Sequence, residues 1–158
     1  MFLTALRFIV CTVFILAGIS FLPVTAHAAW YNSSWSNRVG ITINADQVDA
    51  DLNDFPVYVD LSDLPASFFT TVQSDGDDIR VTKSDGTTEV PIELEAITTG
   101  SSTGSLWFKA DGTLSSSSDT TFYIYYGNAG ASAYAVDDTY GGENVWDSNY
   151  VSVHHLQD

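Results

Sequence analysis

The feature that most constrains the fold is the alternation of apolar and polar side chains along most of the chain from residue 37 to residue 126. In NRVGITINA, Val39, Ile41 and Ile43 fall on one face of an extended segment, because successive side chains of a strand point to opposite sides. Five further segments follow the same pattern: FPVYVDL, DIRVTKS, TTEVPIELEAI, GSLWFKA and TFYIYYGN. The predicted inward residues of four of these segments are Phe55, Val57, Val59, Leu61, Ile79, Val81, Val90, Ile92, Leu94, Phe122, Ile124 and Tyr126.

Turn signals separate the predicted strands. They are SDGDD at 74–78, SDGT at 84–87, TTGSSTGS at 98–105, ADGT at 110–113 and SSSSD at 115–119. The only predicted helical turn is PASFFTTVQ at 65–73. Short strands between Asp-Gly and Ser-rich turns predict an all-β fold, an antiparallel, jelly-roll-like β-sandwich that forms one domain over residues 29–145.

The N-terminus has the pattern of a signal peptide over residues 1–28. Arg7 precedes an uncharged apolar run of 15 residues, 8–22, which is shorter than the ~20 residues that a membrane-spanning helix needs. Small residues at Ala26 and Ala28 predict cleavage after Ala28. The alternative is an uncleaved N-terminal anchor. We therefore expect a protein that is secreted, extracellular or held in the cell envelope.

Charge and cysteine content limit the classes of partner. Loss of residues 1–28 removes Cys11 and Arg7, and so leaves no thiol and four basic side chains against 20 acidic ones, a net charge of −16. This excess of negative charge repels nucleic acids and anionic membrane surfaces. We expect neither as a partner, and no stable membrane insertion after cleavage.

Several segments together resemble a bacterial family known as domain of unknown function 2341. They are WYNSSWSNRVGITI, LNDFPVYVDL, GDDIRVTKSDGTTEVPIELE, SLWFKA and TFYIYYGNAGA. The resemblance implies a secreted or envelope setting, including proteins associated with proton-channel or transport components, and no established activity. It also suggests that Asp78 is structural and bonds to loop backbone. The family often precedes a concanavalin-like or laminin-G-like jelly roll, and residues 146–158, with the strand-like YVSVHHLQD, look like the start of one.

Catalytic groups are sparse. Glu93 and Glu95 point the same way from one strand at a spacing that suits paired carboxylates of glycosidases, but carboxylates at every second residue are also usual on a solvent-facing strand. We expect the solvent face, with Glu89 also pointing outward. His154 and His155 are adjacent and would lie on opposite faces of a strand. The sequence therefore predicts no catalytic residue.

Calcium is the one cofactor for which the chain offers ligands. Asp75, Asp77 and Asp78 cluster in one turn and Asp85 begins the next, so two loops could supply carboxylate oxygens to one ion. The alternative is that these aspartates only stabilise turns, in which Asp-Gly sequences are common.

Aromatic side chains are the remaining candidates for ligand contact. Tyr123 and Tyr125 share one face of their strand, and form either a two-ring platform or a surface covered by the tryptophan-rich N-terminus or by a following domain. Trp35 and Trp107 are further candidates, with burial in the core as the alternative.

These features together predict a secreted or cell-surface, non-catalytic binding or adhesion module at the front of a larger protein. Its ligand would be a glycan or a surface protein, with glycan recognition as the more specific version. Two alternatives stay open. One is an accessory domain of a secreted glycan-degrading enzyme whose catalytic domain lies elsewhere, and the other is a structural module of an envelope transport assembly.

Overall fold

The computed structural model describes residues 28–146 and 148–155. The predicted signal peptide lies outside the described residues, apart from Ala28. Seven strands and one short helix form the regular part of the chain: β1 (Asn37–Ile43), β2 (Leu52–Asp60), α1 (Ala66–Phe69), β3 (Arg80–Lys83), β4 (Glu89–Val90), β5 (Ile92–Thr98), β6 (Thr103–Leu114) and β7 (Thr120–Tyr126). Single 3₁₀ turns span Ala45–Gln47, Leu61–Asp63 and Gly142–Val145.

The strands form two antiparallel sheets, which confirms the predicted all-β sandwich. The first sheet has the order β1-β7-β3-β4 and the second the order β2-β6-β5. Only Pro91 separates β4 from β5, so the chain passes from one sheet to the other at that residue. No helix among the described residues is long and apolar enough to cross a membrane.

The core lies between the two sheets and contains most of the residues that alternation placed inward. Phe108 of β6 and Phe122 of β7 join the sheets, with ring centroids 4.8 Å apart. Each fully buried aromatic or aliphatic side chain of this kind stabilises the fold by about 1.5–3 kcal/mol relative to exposure. Helix α1 closes one end, because Phe68 packs on Tyr126 at 4.8 Å. The other buried residues of the core are Val59, Leu61, Leu64, Phe69, Val72, Ile79, Val81, Val90, Leu106, Ala110, Leu114 and Ile124.

Two predictions about the second sheet are wrong. The predicted turn at 110–113 is part of the continuous strand β6, because Asp54 adopts φ 52° and its carboxylate accepts a hydrogen bond from the Gly112 N–H at 2.9 Å. Phe55 lies opposite Ala110 and yet is 42% exposed, since β2 is an edge strand of its sheet. Its predicted burial is wrong.

The segment after residue 147 also differs from prediction. The sequence predicted a strand from Tyr150, but no strand is present in the described residues 148–155. His155 instead packs on the ring of Trp107, at 5.8 Å between centroids, and on Trp146, at 5.9 Å. The segment is therefore held by side chains against the outer face of the second sheet.

Candidate functional site

Tyr123 and Tyr125 lie on the face of β7 that points away from the second sheet, and they do not form an open platform. Tyr125 is completely buried, because the rings of Trp30 and Tyr31 pack on it at 5.3 and 5.6 Å. The guanidinium of Arg38 lies 4.3 Å from the centroid of the Tyr123 ring. Of the two arrangements that the sequence left open, the structure shows the covered one, and the cover is the N-terminal segment.

Trp35 and Trp107, the other predicted ligand contacts, are also enclosed. Trp35 is 8% exposed, and its indole N–H donates to the backbone oxygen of Asp78 at 2.6 Å. Trp107 is half-buried on the outer face of β6, between the rings of Tyr58 at 5.1 Å and Trp146 at 5.2 Å. The structure does not offer either indole as a free stacking surface.

Asp78, one of the predicted calcium ligands, has a structural role instead. Its side chain is fully buried, and its two carboxylate oxygens accept three backbone hydrogen bonds. The donors are the N–H groups of Gln73 at 3.0 Å, Gly127 at 2.6 Å and Asn128 at 3.0 Å. The carboxylate thereby joins the loop before β3 to the loop after β7, in the manner that the family resemblance suggested.

Two more aspartates of that set, Asp75 and Asp85, accept hydrogen bonds from their own turns. Asp75 accepts from the N–H of Asp77 at 3.2 Å, and Asp85 accepts from the N–H of Thr88 at 2.8 Å and from the Thr88 hydroxyl. These hydrogen bonds lower the pKa of Asp85 to about 2, with the Thr88 hydroxyl as the largest cause. Among residues 28–146 and 148–155, no three His, Cys, Asp or Glu side chains come together at a position that could hold a metal ion. The hydrogen bonds of Asp75 and Asp85 match the turn chemistry that the sequence offered as the alternative to calcium.

Glu93 and Glu95 face the same side of β5, as predicted, but they are not on a free solvent face. Glu93 Oε2 accepts a hydrogen bond from the indole N–H of Trp146 at 2.7 Å, and Glu93 Oε1 lies 3.3 Å from Nε2 of His155. Glu95 Oε2 lies 3.8 Å from Nδ1 of the same ring. The expected solvent face is therefore wrong for this pair, because the side chains of Trp146 and His155 cover it.

Glu89 is the main polar group that sequence reasoning misplaced. It points away from the sandwich core, as predicted, but its side chain is only 6% exposed. Glu89 Oε2 accepts hydrogen bonds from the hydroxyls of Tyr31 at 2.6 Å and Tyr134 at 3.2 Å, and Oε1 lies 3.5 Å from Nε of Arg80. The N-terminal segment and the segment after β7 converge on this carboxylate.

Burial dominates the electrostatics of this cluster. It raises the pKa of Glu89 above its ordinary value, although the hydrogen bonds from the two tyrosines and the charge of Arg80 act in the opposite direction. Burial also raises the pKa of Tyr31 and of Tyr134, and the nearby Glu89 carboxylate adds to both effects.

A cleft of about 910 Å³ lies beside this cluster, between β5, the loop before β3 and the irregular segments around residues 133–143 and 150–153. Its floor contains the apolar side chains of Ile79, Ile92 and Leu94. Four aromatic residues line it: Tyr134, Tyr140, Trp146 and Tyr150. Four carboxylates line it as well: Asp75, Asp77, Glu93 and Glu143. An apolar floor with aromatic and polar walls is the usual composition of a site for a small organic ligand.

Tyr134, Tyr140 and Tyr150 were not candidates in the sequence, because they lie after the last alternating segment. The signal available there is compositional: YAVDDTYGGENVWDSNY, residues 134–150, contains four aromatic and four acidic residues and no strand pattern. Such a segment cannot form a sheet face, so its aromatic rings have to pack on the outside of the sandwich.

The fold and the site define an all-β domain of two packed antiparallel sheets with an aromatic, acidic cleft beside the second sheet. Residues 75–147 match the model of a family described as domain of unknown function (DUF2341). This match confirms the predicted resemblance to that family over residues 75–147. The predicted start of a concanavalin-like domain stays a prediction. No curated protein and no solved structure shows significant similarity to the chain.

Proposed function

We propose that this domain is a non-catalytic module that binds a glycan in the cleft, in a protein exposed outside the cell or on its surface. The observation that supports the proposal best is the composition of the cleft, in which aromatic rings and carboxylates surround an apolar floor. Sugars present apolar C–H faces and a rim of hydroxyls. Aromatic rings bury the former, and carboxylate oxygens accept hydrogen bonds from the latter.

The aromatic residues of the cleft differ in their freedom to contact a ligand. Tyr150 is 45% exposed and touches the ring of Trp146 at 5.2 Å, so much of its surface is open to solvent. Tyr140 is half-buried against Tyr134, at 5.6 Å between centroids. We assign the first contact with a sugar ring to Tyr150 and a supporting position to Tyr140.

The proposal that the module is non-catalytic rests on the contacts made by the paired carboxylates Glu93 and Glu95. Glu93 is bonded to Trp146 and approached by His155, and the Glu95 side chain is covered by the same histidine. A glycosidase needs two carboxyl groups free to reach the bond that is cleaved. The contacts of Glu93 and Glu95 favour a structural role for the pair, in which they hold Trp146 and His155 beside the cleft.

Binding to glycans tests the proposal directly. We would measure, by calorimetry and on a glycan array, the affinity of the chain from Ala29 to Asp158 and of the Tyr150→Ala variant. Phe55→Ala is the matched control, because Phe55 is an aromatic residue of similar exposure, 42% against 45%, outside the cleft. We expect Tyr150→Ala to weaken binding at least about fivefold, since stacking on a Tyr or Trp ring stabilises a complex by about 1 kcal/mol or more. Absence of any glycan ligand for the folded chain would refute the proposal.

A further inference from the structure

We infer that the cleft selects glycans that carry protonated amino groups, that is, amino sugars with free ammonium groups, over neutral and acidic glycans. The inference rests on the proposed function and names the class of sugar that the same cleft would take. It follows from the combination of aromatic walls with carboxylates that have no partner, in a cavity large enough for more than one sugar ring, at about 910 Å³.

Two of the four carboxylates in the cleft are free to meet a ligand. Within the described part of the chain, the side-chain oxygens of Asp77 and Glu143 accept no hydrogen bond and form no ion pair. Glu93 and Asp75 also line the cleft, and each is partly engaged, with Trp146 and with the Asp77 backbone. An ammonium group that binds there would supply three donors to oxygens that now face the cavity.

The cleft has no comparable group for an anion. Arg80 is the only basic side chain among its lining residues, and its side chain is 6% exposed. Its Nη1 donates to the backbone oxygens of Asp77 at 2.9 Å and Ile79 at 2.6 Å, and its Nη2 donates to that of Ser132 at 2.7 Å. Its Nε faces Glu89 at 3.5 Å. The guanidinium is therefore held by three backbone oxygens and the Glu89 carboxylate, and the charged groups that a uronate or a sulfated sugar would meet in the cleft are carboxylates.

The aromatic walls favour the same ligand. The electron-rich face of a tyrosine or tryptophan ring attracts an ammonium group, and the attraction adds to that of a nearby carboxylate. Tyr140 and Tyr150 line the cleft together with Glu143. An amino sugar satisfies both kinds of group at once, since it combines an apolar ring face with a cationic substituent.

Matched oligosaccharides test the inference. The probes are a glucosamine tetramer, its fully N-acetylated counterpart and a uronic acid tetramer, titrated at about pH 6, where an amino group of this kind is protonated. We expect the glucosamine tetramer to bind at least about fivefold more tightly than the acetylated one, and the uronic acid tetramer not to bind. The preference for the cationic sugar should also decrease as salt is raised from about 0.01 to about 0.15 M, because salt screens exposed charges.

The acidity of the whole chain requires a charge-matched control. The variant Asp77→Asn/Glu143→Gln removes two carboxylates from the cleft, and Asp46→Asn/Asp49→Asn removes two exposed carboxylates outside it. Only the first double variant should lose the preference for the glucosamine tetramer. An equal loss in both variants would show non-specific attraction and overturn the inference. Equal affinity for the cationic and acetylated tetramers would overturn the inference and leave the proposed function standing. Absence of binding to all three, with another glycan of the array bound, would overturn the inference alone, and absence of any glycan ligand would refute both.

Discussion

The buried carboxylate of Asp78 should be one of the most sensitive positions for stability, and Asp78→Asn tests this with little change in volume. In the wild type, one carboxylate oxygen accepts the N–H groups of Gly127 and Asn128, and the other accepts that of Gln73. An asparagine has a single acceptor oxygen. If that oxygen keeps the two donors after β7, the amide nitrogen faces the Gln73 N–H, and two donors oppose each other in a site without solvent.

The expected loss follows from these contacts. A hydrogen bond to a charged group contributes about 1.5–3 kcal/mol, and a buried donor without an acceptor costs about 1–3 kcal/mol. Removal of a buried charge recovers part of its desolvation energy and offsets some of this loss. We expect a net decrease of about 2–4 kcal/mol in the free energy of unfolding, which is a large share of the ~5–15 kcal/mol that is typical of single domains.

Equilibrium unfolding in urea measures this decrease. With a slope of about 2 kcal/mol per M, in the middle of the usual range, the midpoint of Asp78→Asn should fall by about 1–2 M. The control is Asp75→Asn in the same loop, because the Asp75 carboxylate is exposed and accepts one N–H at 3.2 Å. This variant should change the free energy of unfolding by no more than about 0.5 kcal/mol. A decrease below about 1 kcal/mol for Asp78→Asn, or equal effects of the two variants, would refute the reasoning.

Three further predictions concern other parts of the molecule. Gly86→Ala should lower the free energy of unfolding in urea by more than about 1 kcal/mol. Gly86 has φ +77°, and an added Cβ would lie 1.9 Å from the backbone oxygen of Ala29. Unchanged stability would contradict the close approach of the N-terminal segment to Gly86. The pKa of Asp85, lowered to about 2, means that its contribution is present above the ordinary value of 3.8 and is lost as pH falls towards 2. Acid unfolding of Asp85→Asn should therefore show a shallower pH dependence over that range than the wild type. Burial raises the pKa of Glu89, so the wild type should lose stability relative to Glu89→Gln as pH rises above 4.5, and a constant difference across a pH series of unfolding curves would disprove it.

Alternation was sufficient to predict the sheets because each strand has one face in the core. Val81, Val90 and Ile124 have no exposed surface, as their positions in the pattern require. The pattern fails where a second local preference competes with it. Asp-Gly at 111–112 has turn chemistry, but in the structure it belongs to β6, because pairing with β2 absorbs the irregularity as a bulge.

The cleft and the buried cluster could not be predicted in this way, because they lie outside the sandwich core. Alternation identifies Glu89 as outward but gives no information about what lies over it. Its burial depends on Tyr31, 58 residues before it, and Tyr134, 45 residues after it. Contacts of this separation between irregular segments have no periodic signature in a sequence.

The buried cluster around Glu89 helps to fix the irregular segment after β7, and that segment forms part of the cleft. Residues 128–140 contain no strand, and the backbone hydrogen bond from a strand that holds them runs from the Ile92 N–H of β5 to the Tyr140 oxygen, at 3.1 Å, at the far end of the segment. Tyr134 is fixed instead by its hydroxyl contact with Glu89 and by the Arg80 guanidinium, 4.2 Å from the centroid of its ring. The Tyr134 ring also lines the cleft, and Tyr31 of the N-terminal segment donates to the same oxygen of Glu89 as Tyr134 does. The shape of the cleft therefore depends on the packing of the N-terminal segment against Glu89. A change at Tyr31, far from any ligand, should therefore alter ligand affinity by displacing the wall.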